Sequence, residues 1–118
     1  MEARAIQRYA RQSSRKMRLV VDLIRGKNVN EAFAILKFNK KYAAKQIGKT
    51  LKSAVANAEQ AALKANENLD VDDLLVTKAV INMGTPLKRF SPAAQGRGVP
   101  IKKRTSHVEI HVGTKESK

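Results

Sequence analysis

Between Gly84 and His107 the chain carries all three of its prolines, three of its six glycines, six cations and no acidic residue. A solvated connection of this length is uncommon inside a compact domain, so the run is either disordered or a functional projection. Its cations, Lys88, Arg89, Arg97, Lys102, Lys103 and Arg104, point to a polyanion as the partner that gives it shape. Any fold for this chain has to hold the two ends of the run and leave its middle outside the core.

Both flanks read as strands. Leu74 to Ile81 is a dense β-branched stretch. Beyond the run, Ser106, Val108, Ile110 and Val112 alternate with His107, Glu109 and His111, the pattern of a strand with one buried face. Two strands joined by a basic, proline-containing segment predict an antiparallel hairpin whose distal part, residues 84–104, extends past the core as an arm. With about ten extended residues on each side it would reach roughly 30 Å. Gly96 and Gly98 supply permissive dihedrals near a tip, while Pro86, Pro92 and Pro100 forbid a full ladder and limit edge pairing. Gly113 to Lys118 reads as a frayed tail.

Upstream, residues 3–11 alternate weakly, with Arg4, Ile6, Arg8 and Ala10 on one parity and Ala5, Gln7, Tyr9 and Arg11 on the other, which predicts a strand. Ser13 or Ser14 offers an N-cap to a first helix over 14–25, where Met17, Val20, Val21 and Ile24 recur at helical spacing and Gly26 falls where an αL glycine ends a helix. Asn28 or Asn30 caps a second helix, with Ala32, Phe33, Ile35 and Leu36 on its apolar side, that ends near Phe38. Asn39 caps a third from Lys40 to about Ala65. On it Ala43, Ala44, Ile47, Leu51, Ala54, Val55, Ala58 and Ala62 form one apolar stripe, with Lys41, Lys45, Lys49 and Lys52 roughly opposite. Asn66 to Asp73 is a polar helix end and loop.

At 118 residues the chain is expected to form one domain spanning 1–118. Its formal net charge of +14 and sequence pI of about 10.5 exceed what solubility requires and fit a nucleic-acid footprint. The charge is uneven. Residues 1–18 carry six cations against Glu2, residues 25–52 eight against Glu31, and residues 84–118 eight against Glu109 and Glu116. Residues 53–83 reverse the sign, with Glu59, Glu67, Asp70, Asp72 and Asp73 against Lys64 and Lys78. Cysteine is absent, which excludes disulfides and thiolate zinc sites and suits a reducing compartment. No apolar run approaches the roughly 18 residues of a membrane span, and the first residues lack the apolar segment of a secretory signal. A cytoplasmic location is expected.

Catalytic constellations are missing from the sequence. His107 and His111 would share a strand face about 13 Å apart, too far to chelate one ion. Asp70, Asp72 and Asp73 match no EF-hand loop and are better read as a helix-end loop. Neither a Walker loop nor a dinucleotide fingerprint occurs. No enzyme activity, cofactor, metal or small-molecule substrate is expected. An aromatic stacking sheet of the RNA-recognition-motif kind is disfavoured, because Tyr9, Phe33, Phe38, Tyr42 and Phe90 fall mostly in helical segments. Phosphate clamping by distributed Lys and Arg, with a thin arm entering folded nucleic acid, fits better and would be strongly salt-dependent.

The blocks Lys16-Met-Arg-Leu-Val-Val-Asp-Leu-Ile-Arg-Gly-Lys27, Ser53-Ala-Val-Ala-Asn-Ala-Glu59, Leu87-Lys-Arg89, Gly96-Arg97 and Lys103-Arg-Thr-Ser-His107 closely resemble the family of ribosomal protein number 22 of the bacterial large subunit. The resemblance runs over about residues 3–112. It implies an α+β fold, three helices packed on a small three-stranded antiparallel sheet, with a long extended β-hairpin. It implies a structural constituent of the large ribosomal subunit that supports assembly and lines the nascent-peptide exit tunnel. The expected partners are large-subunit ribosomal RNA, neighbouring large-subunit proteins including number 4, and the nascent polypeptide. Expected RNA contacts are Arg8, Arg11, Arg15, Lys16, Arg18, Arg25, Lys27, Lys88, Arg89, Arg97, Lys102, Lys103 and Arg104. Leu87, Lys88, Arg89, Phe90 and Pro92 would border the tunnel. The chain departs from the family pattern in the order Thr85-Pro86, at Ala93, where arginine is usual, and at Gly98, Val99 and Pro100.

A different class remains open on the residues alone: a DNA-architectural protein whose basic β-arm enters a minor groove and whose prolines kink the duplex. It would need an apolar dimer surface, whereas the apolar positions look consumed by one small core.

Overall fold

The computed structural model describes residues 2–66, 69–85, 87–92 and 98–114, with the backbone alone for 87–92 and 98–103. The elements run β1 (Glu2–Ala10), α1 (Ser14–Val21), α2 (Val29–Phe38), α3 (Tyr42–Lys64), a 3-10 turn (Val71–Asp73), β2 (Leu75–Met83), β3 (Leu87–Pro92), β4 (Gly98–Lys103) and β5 (Ser106–Gly113). The fold is α+β, with three helices and a three-stranded antiparallel sheet in the order β1-β5-β2, while β3 and β4 form a separate two-stranded ribbon.

The alternation of β5 becomes a face. Val108, Ile110 and Val112 are fully buried, as is Ser106, while His107, Glu109 and His111 lie on the open side. Ala79 and Ile81 of β2 join the buried side, and Met17, Val20, Val21 and Ile24 meet them from the α1 region. Every position of the apolar stripe on α3, from Ala43 to Ala62, is buried. Each large side chain fully buried here contributes about 1.5–3 kcal/mol by leaving water. The runs of alanine let α3 approach the sheet closely.

Helix boundaries differ from the sequence reading for identifiable reasons. Ser13 does cap α1, accepting the Lys16 N–H. The helix ends at Val21 because the chain tightens: Leu23 and Ile24 donate three residues back, to Val20 and Val21. This turn keeps Ile24 in the core and leads into Gly26 at φ 74°, a conformation that favours glycine. Asn28 is the N-cap of α2. Asn39 is not the cap of α3; its Oδ1 accepts the Lys41 N–H in a local turn, and the helix begins at Tyr42 with Lys41 as N-cap. Gly113 belongs to β5 and is buried, so the tail starts later than expected.

The weak alternation of β1 also has a cause. Gln7 faces Val108 and Ala10 faces Ser106, so Arg8 and Tyr9 together stand opposite His107 in a bulge. The extra residue lets Ala5 and Ala10, of opposite parity, both reach the core.

The arm is a ribbon in which Leu87 pairs with Lys103, Lys88 with Lys102, Phe90 with Pro100 and Pro92 with Gly98. Pro92 and Pro100 occupy pairs two steps apart, and such pairs are of one kind in an antiparallel ladder. Both prolines therefore fit without breaking the bonds of the intervening pairs, and the ladder is more continuous than three prolines suggested. The predicted tip at Gly96, Arg97, Pro86 and residues 115–118 of the tail lie outside the described residues. The molecule measures 66 × 28 × 19 Å, with a radius of gyration of 17.5 Å, against roughly 13–14 Å for a compact chain of this length.

Gly84 sits at the root of the arm, where an added Cβ would collide with Thr105 Oγ1 and press on the Thr105 carbonyl carbon at 3.3 Å. Gly84→Ala is expected to destabilise the chain by about 1–3 kcal/mol in urea unfolding. Gly48→Ala, where the new carbon meets only Leu36 Cδ1 at 4.0 Å inside α3, is expected to stabilise it by up to about 1 kcal/mol.

Candidate nucleic-acid interface

The helices close the sheet and fix where its cations lie. Along the free edge of β2, Arg18 Nη2 donates to the Ile81 carbonyl at 3.0 Å and Arg25 Nε to the Ala79 carbonyl at 2.9 Å. Farther down, Gly26 N–H donates to the Val76 carbonyl at 3.1 Å, Val76 N–H to the Lys27 carbonyl at 2.9 Å, and Val29 N–H to the Leu74 carbonyl at 3.0 Å. An open strand edge is a template for aggregation; this one is sealed by α1 and the segment that follows it. The same bonds give α1 its direction, from the arm end of β2 toward its far end.

Along β1, Asn57 Nδ2 of α3 donates to the Arg4 carbonyl at 2.8 Å, and the Thr50 hydroxyl lies 2.9 Å from Gln7 Oε1. Gln46 joins Gln7 to the Tyr42 hydroxyl. The first half of α3 thus lies toward the arm, and its second half toward the opposite end.

The block Thr105-Ser106-His107 fastens the arm. Gly84 N–H donates to the Thr105 carbonyl at 2.9 Å, and the Thr105 hydroxyl donates to the Thr85 carbonyl at 2.8 Å. The buried Ser106 hydroxyl donates to the Gln12 carbonyl at 2.6 Å, and His107 Nδ1 accepts the Tyr9 N–H at 3.1 Å. The turn between β1 and α1 is thereby tied to the root of the arm.

This arrangement sorts the expected contact residues. Arg8, Arg11, Arg15, Lys16 and Arg104 are exposed at the arm end. Arg18 starts there, with part of its guanidinium on β2. Arg25 and Lys27 sit away from the arm, where Arg25 also pairs with Asp22, and Lys27 Nζ lies 4.0 Å from Glu31. Their signal was a basic helix; the bonds to strand carbonyls have no local signature. Lys88, Arg89, Lys102 and Lys103 lie on the ribbon backbone, as do Leu87, Phe90 and Pro92, with side chains outside the described set; Arg97 lies outside it entirely.

Acids gather at the far end. Glu2 pairs with Gly113 there, Glu31 opens α2, Glu59 follows Asn57 on α3, and Asp72 accepts from Asn28 and Asn30. The aspartates of 70–73 thus serve a 3-10 turn that Asp70 caps. Among the described residues no group of three or more metal-ligating side chains occurs, and no described helix is long and apolar enough to cross a membrane.

Both histidines are built into the open sheet face. His111 bridges two carboxylates, Nδ1 2.9 Å from Glu2 Oε1 and Nε2 3.1 Å from Glu109 Oε1. The hydrogen bond from His111 holds the Glu109 carboxyl below its ordinary value; burial opposes this, and the charges of His111, Lys78 and Arg4 add to it.

A small basic α+β domain with a fastened two-stranded arm, and cations gathered around its root, fits the class of nucleic-acid-binding proteins. The family described as ribosomal protein L22p/L17e matches residues 5–113. Curated relatives named large ribosomal subunit protein uL22 include one from Clostridium novyi (strain NT), 59% identical over 95% of this chain and 96% of its own. That of Clostridium acetobutylicum is 56% identical over the same shares, and that of Pediococcus pentosaceus 52% identical over 97% of this chain and 92% of its own. The chain belongs to the L22p/L17e family of ribosomal proteins.

Two outcomes check the assignments within the site. Arg18→Ala and Arg25→Ala should each cost about 0.5–1.5 kcal/mol in urea unfolding through lost carbonyl bonds, while Arg15→Ala and Lys16→Ala should stay within about 0.5 kcal/mol. Because the folded Glu109 is more acidic than the unfolded one, it stabilises the fold above the ordinary glutamate range near pH 4.3, and that stabilisation disappears as pH falls through its folded value. Glu109→Gln should therefore flatten the acid side of the stability profile followed by circular dichroism between neutral pH and acid.

Proposed function

We propose that this chain is a structural, non-catalytic constituent of the large ribosomal subunit, working in the cytoplasm, that binds large-subunit ribosomal RNA with its arm end. The arm, residues 84–104 of a single domain spanning 1–118, enters folded RNA and borders the path of the nascent polypeptide. Arg8, Arg11, Arg15, Lys16, Arg18 and Arg104 take phosphates around the root, with Arg25 and Lys27 in the segment that follows α1. Lys88, Arg89, Arg97, Lys102 and Lys103 neutralise RNA along the ribbon, and Leu87, Lys88, Arg89, Phe90 and Pro92 border the tunnel. Neighbouring large-subunit proteins, number 4 among them, complete its surroundings. The exposed Phe38, Leu19 and Leu63 offer apolar contact area for such neighbours.

The observation that carries this reading is the ladder of the arm itself. Lys88 stands opposite Lys102, and like charges directly opposite across antiparallel strands are destabilising on their own. The run itself supplies no acid to relieve that conflict, and a phosphate backbone between the cations would relieve it. The relatives are named as proteins of the large ribosomal subunit, and ribosomal RNA is the polyanion of that particle.

The test is association with large subunits and with purified large-subunit ribosomal RNA at graded salt. Replacing all six cations of residues 88–104 by glutamine should lower the slope of log K against log salt by about 4–5, if each meets one phosphate. Recovery of the chain with nucleoid DNA, and its absence from large subunits in moderate salt, would overturn the reading in favour of a DNA-architectural role.

A further inference from the structure

We propose that the bulged end of β1 is a stacking site for one unpaired RNA nucleotide, with Tyr9 as its platform, Asn82 and Glu109 at the base edge and Arg8 at the phosphate. The inference rests on the RNA-binding reading above and adds to it a specific single-nucleotide contact on the open sheet face, beside the root of the arm.

Tyr9 is held at φ 58°, a left-handed conformation that costs a non-glycine residue about 1–2 kcal/mol. Such strain persists only where the surroundings over-determine it and concentrates at functional positions. Here the bulge between Gln7 and Ala10 and the bond from Tyr9 N–H to His107 Nδ1 impose it. In an unbulged strand residue 9 would fall on the helix side with Ala5 and Gln7. The bulge turns it instead onto the open face, a re-aiming that bulges commonly perform.

The fold itself gains little from a tyrosine at this position. The residue is 62% exposed, so burial does not explain it, and glycine or asparagine would suit the backbone better. What the structure does is orient the ring: it stands edge-to-face with His107, centroids 4.9 Å apart and planes at 82°. Beside it Ile6, Arg8, Tyr9, Asn82, His107 and Glu109 enclose a groove of about 310 Å³, at the low end for a ligand site.

The groove has a chemical polarity. Its floor includes the aliphatic Ile6, while the Asn82 amide and the Glu109 carboxylate, whose Oε1 also meets Arg4 and His111, can pair with a base edge. Arg8 is exposed and no described residue pairs with it, and the exposed Arg11 follows on the same strand end. Cation, aromatic face and amide are the elements by which proteins hold splayed-out RNA bases. A duplex cannot use them, because its bases are stacked within and its deep groove admits no side chain.

The chain has two tyrosines and no tryptophan, so in a Tyr42→Phe background the emission of Tyr9 reports on stacking directly. An adenosine hexaribonucleotide should quench it, whereas a blunt-ended RNA duplex of matched phosphate concentration, with no unpaired nucleotide, should not. Tyr9→Gly removes the ring while relieving the backbone, so misfolding cannot imitate the result. It should weaken hexanucleotide binding about tenfold and leave binding of the blunt-ended duplex within about twofold; Tyr9→Phe should bind as the parent does. Equal losses on both RNAs, or no loss on either, would overturn the site. If these fail while the parent still binds large-subunit ribosomal RNA with steep salt dependence, only the nucleotide site falls. If the parent does not bind that RNA, the functional reading falls with it.

Discussion

The double pairing of β5 is the constraint on which the rest of the molecule depends. Its buried residues fill the space between the helices, and its two ladders place both neighbouring strands. Because the arm leaves from the end of β2 and returns at the start of β5, their register, with Met83 opposite Ser106, sets where the arm emerges. A slip of one residue would turn Val108, Ile110 and Val112 outward and take the arm root with them. The pairing of Glu2 with Gly113 spans nearly the whole chain, and contacts of such separation form late and slowly. The sheet has no centre until β5 arrives, so the topology ties completion of the arm root to the last strand.

Closing the sheet draws on the same residues that give the protein its charge. Arg18 and Arg25 satisfy carbonyls of β2 that would otherwise face water along an open edge, and Asn57 does the same for β1. A count of cations therefore overstates the number free to meet phosphates. The distribution matters more than the total: among the expected contact residues, those with free ends cluster at the root of the arm, and the two with structural duties, Arg18 and Arg25, lie against the edge of β2.

Much of this was legible in the sequence. The stripe from Ala43 to Ala62, the alternation of β5 and the acid-free run specify the long helix, the central strand and the arm, because each depends on periodicity or composition over many residues. Features resting on one residue or on distant partners were not legible. Nothing local announces that Arg25 will find the Ala79 carbonyl, that Thr50 will be buried beside Gln7, or that Asn39 will spend its side chain one turn too early to cap α3. The bulge left only an ambiguous trace, a weakly alternating β1 whose two buried alanines are five positions apart. It also placed Tyr9 where an argument based on strand-centre aromatics would not look. Within the site, the identity of the cations was readable from the chain; their division between structural and free groups required the three-dimensional bonds.

The leaning of acids toward one end and of exposed arginines toward the other gives the protein an electrical asymmetry that runs with its arm. In the field of a folded RNA such a body experiences a torque as well as an attraction. It is turned arm-first while still separated from its target by solvent, within the few Debye lengths over which the field acts. Orientation is thus selected during diffusive encounter, before any side chain touches RNA, and the fraction of collisions that begin with the thin end is raised. On the proposed reading, in which the arm enters folded RNA, the sorting of charge along the molecule acts on the rate of productive entry.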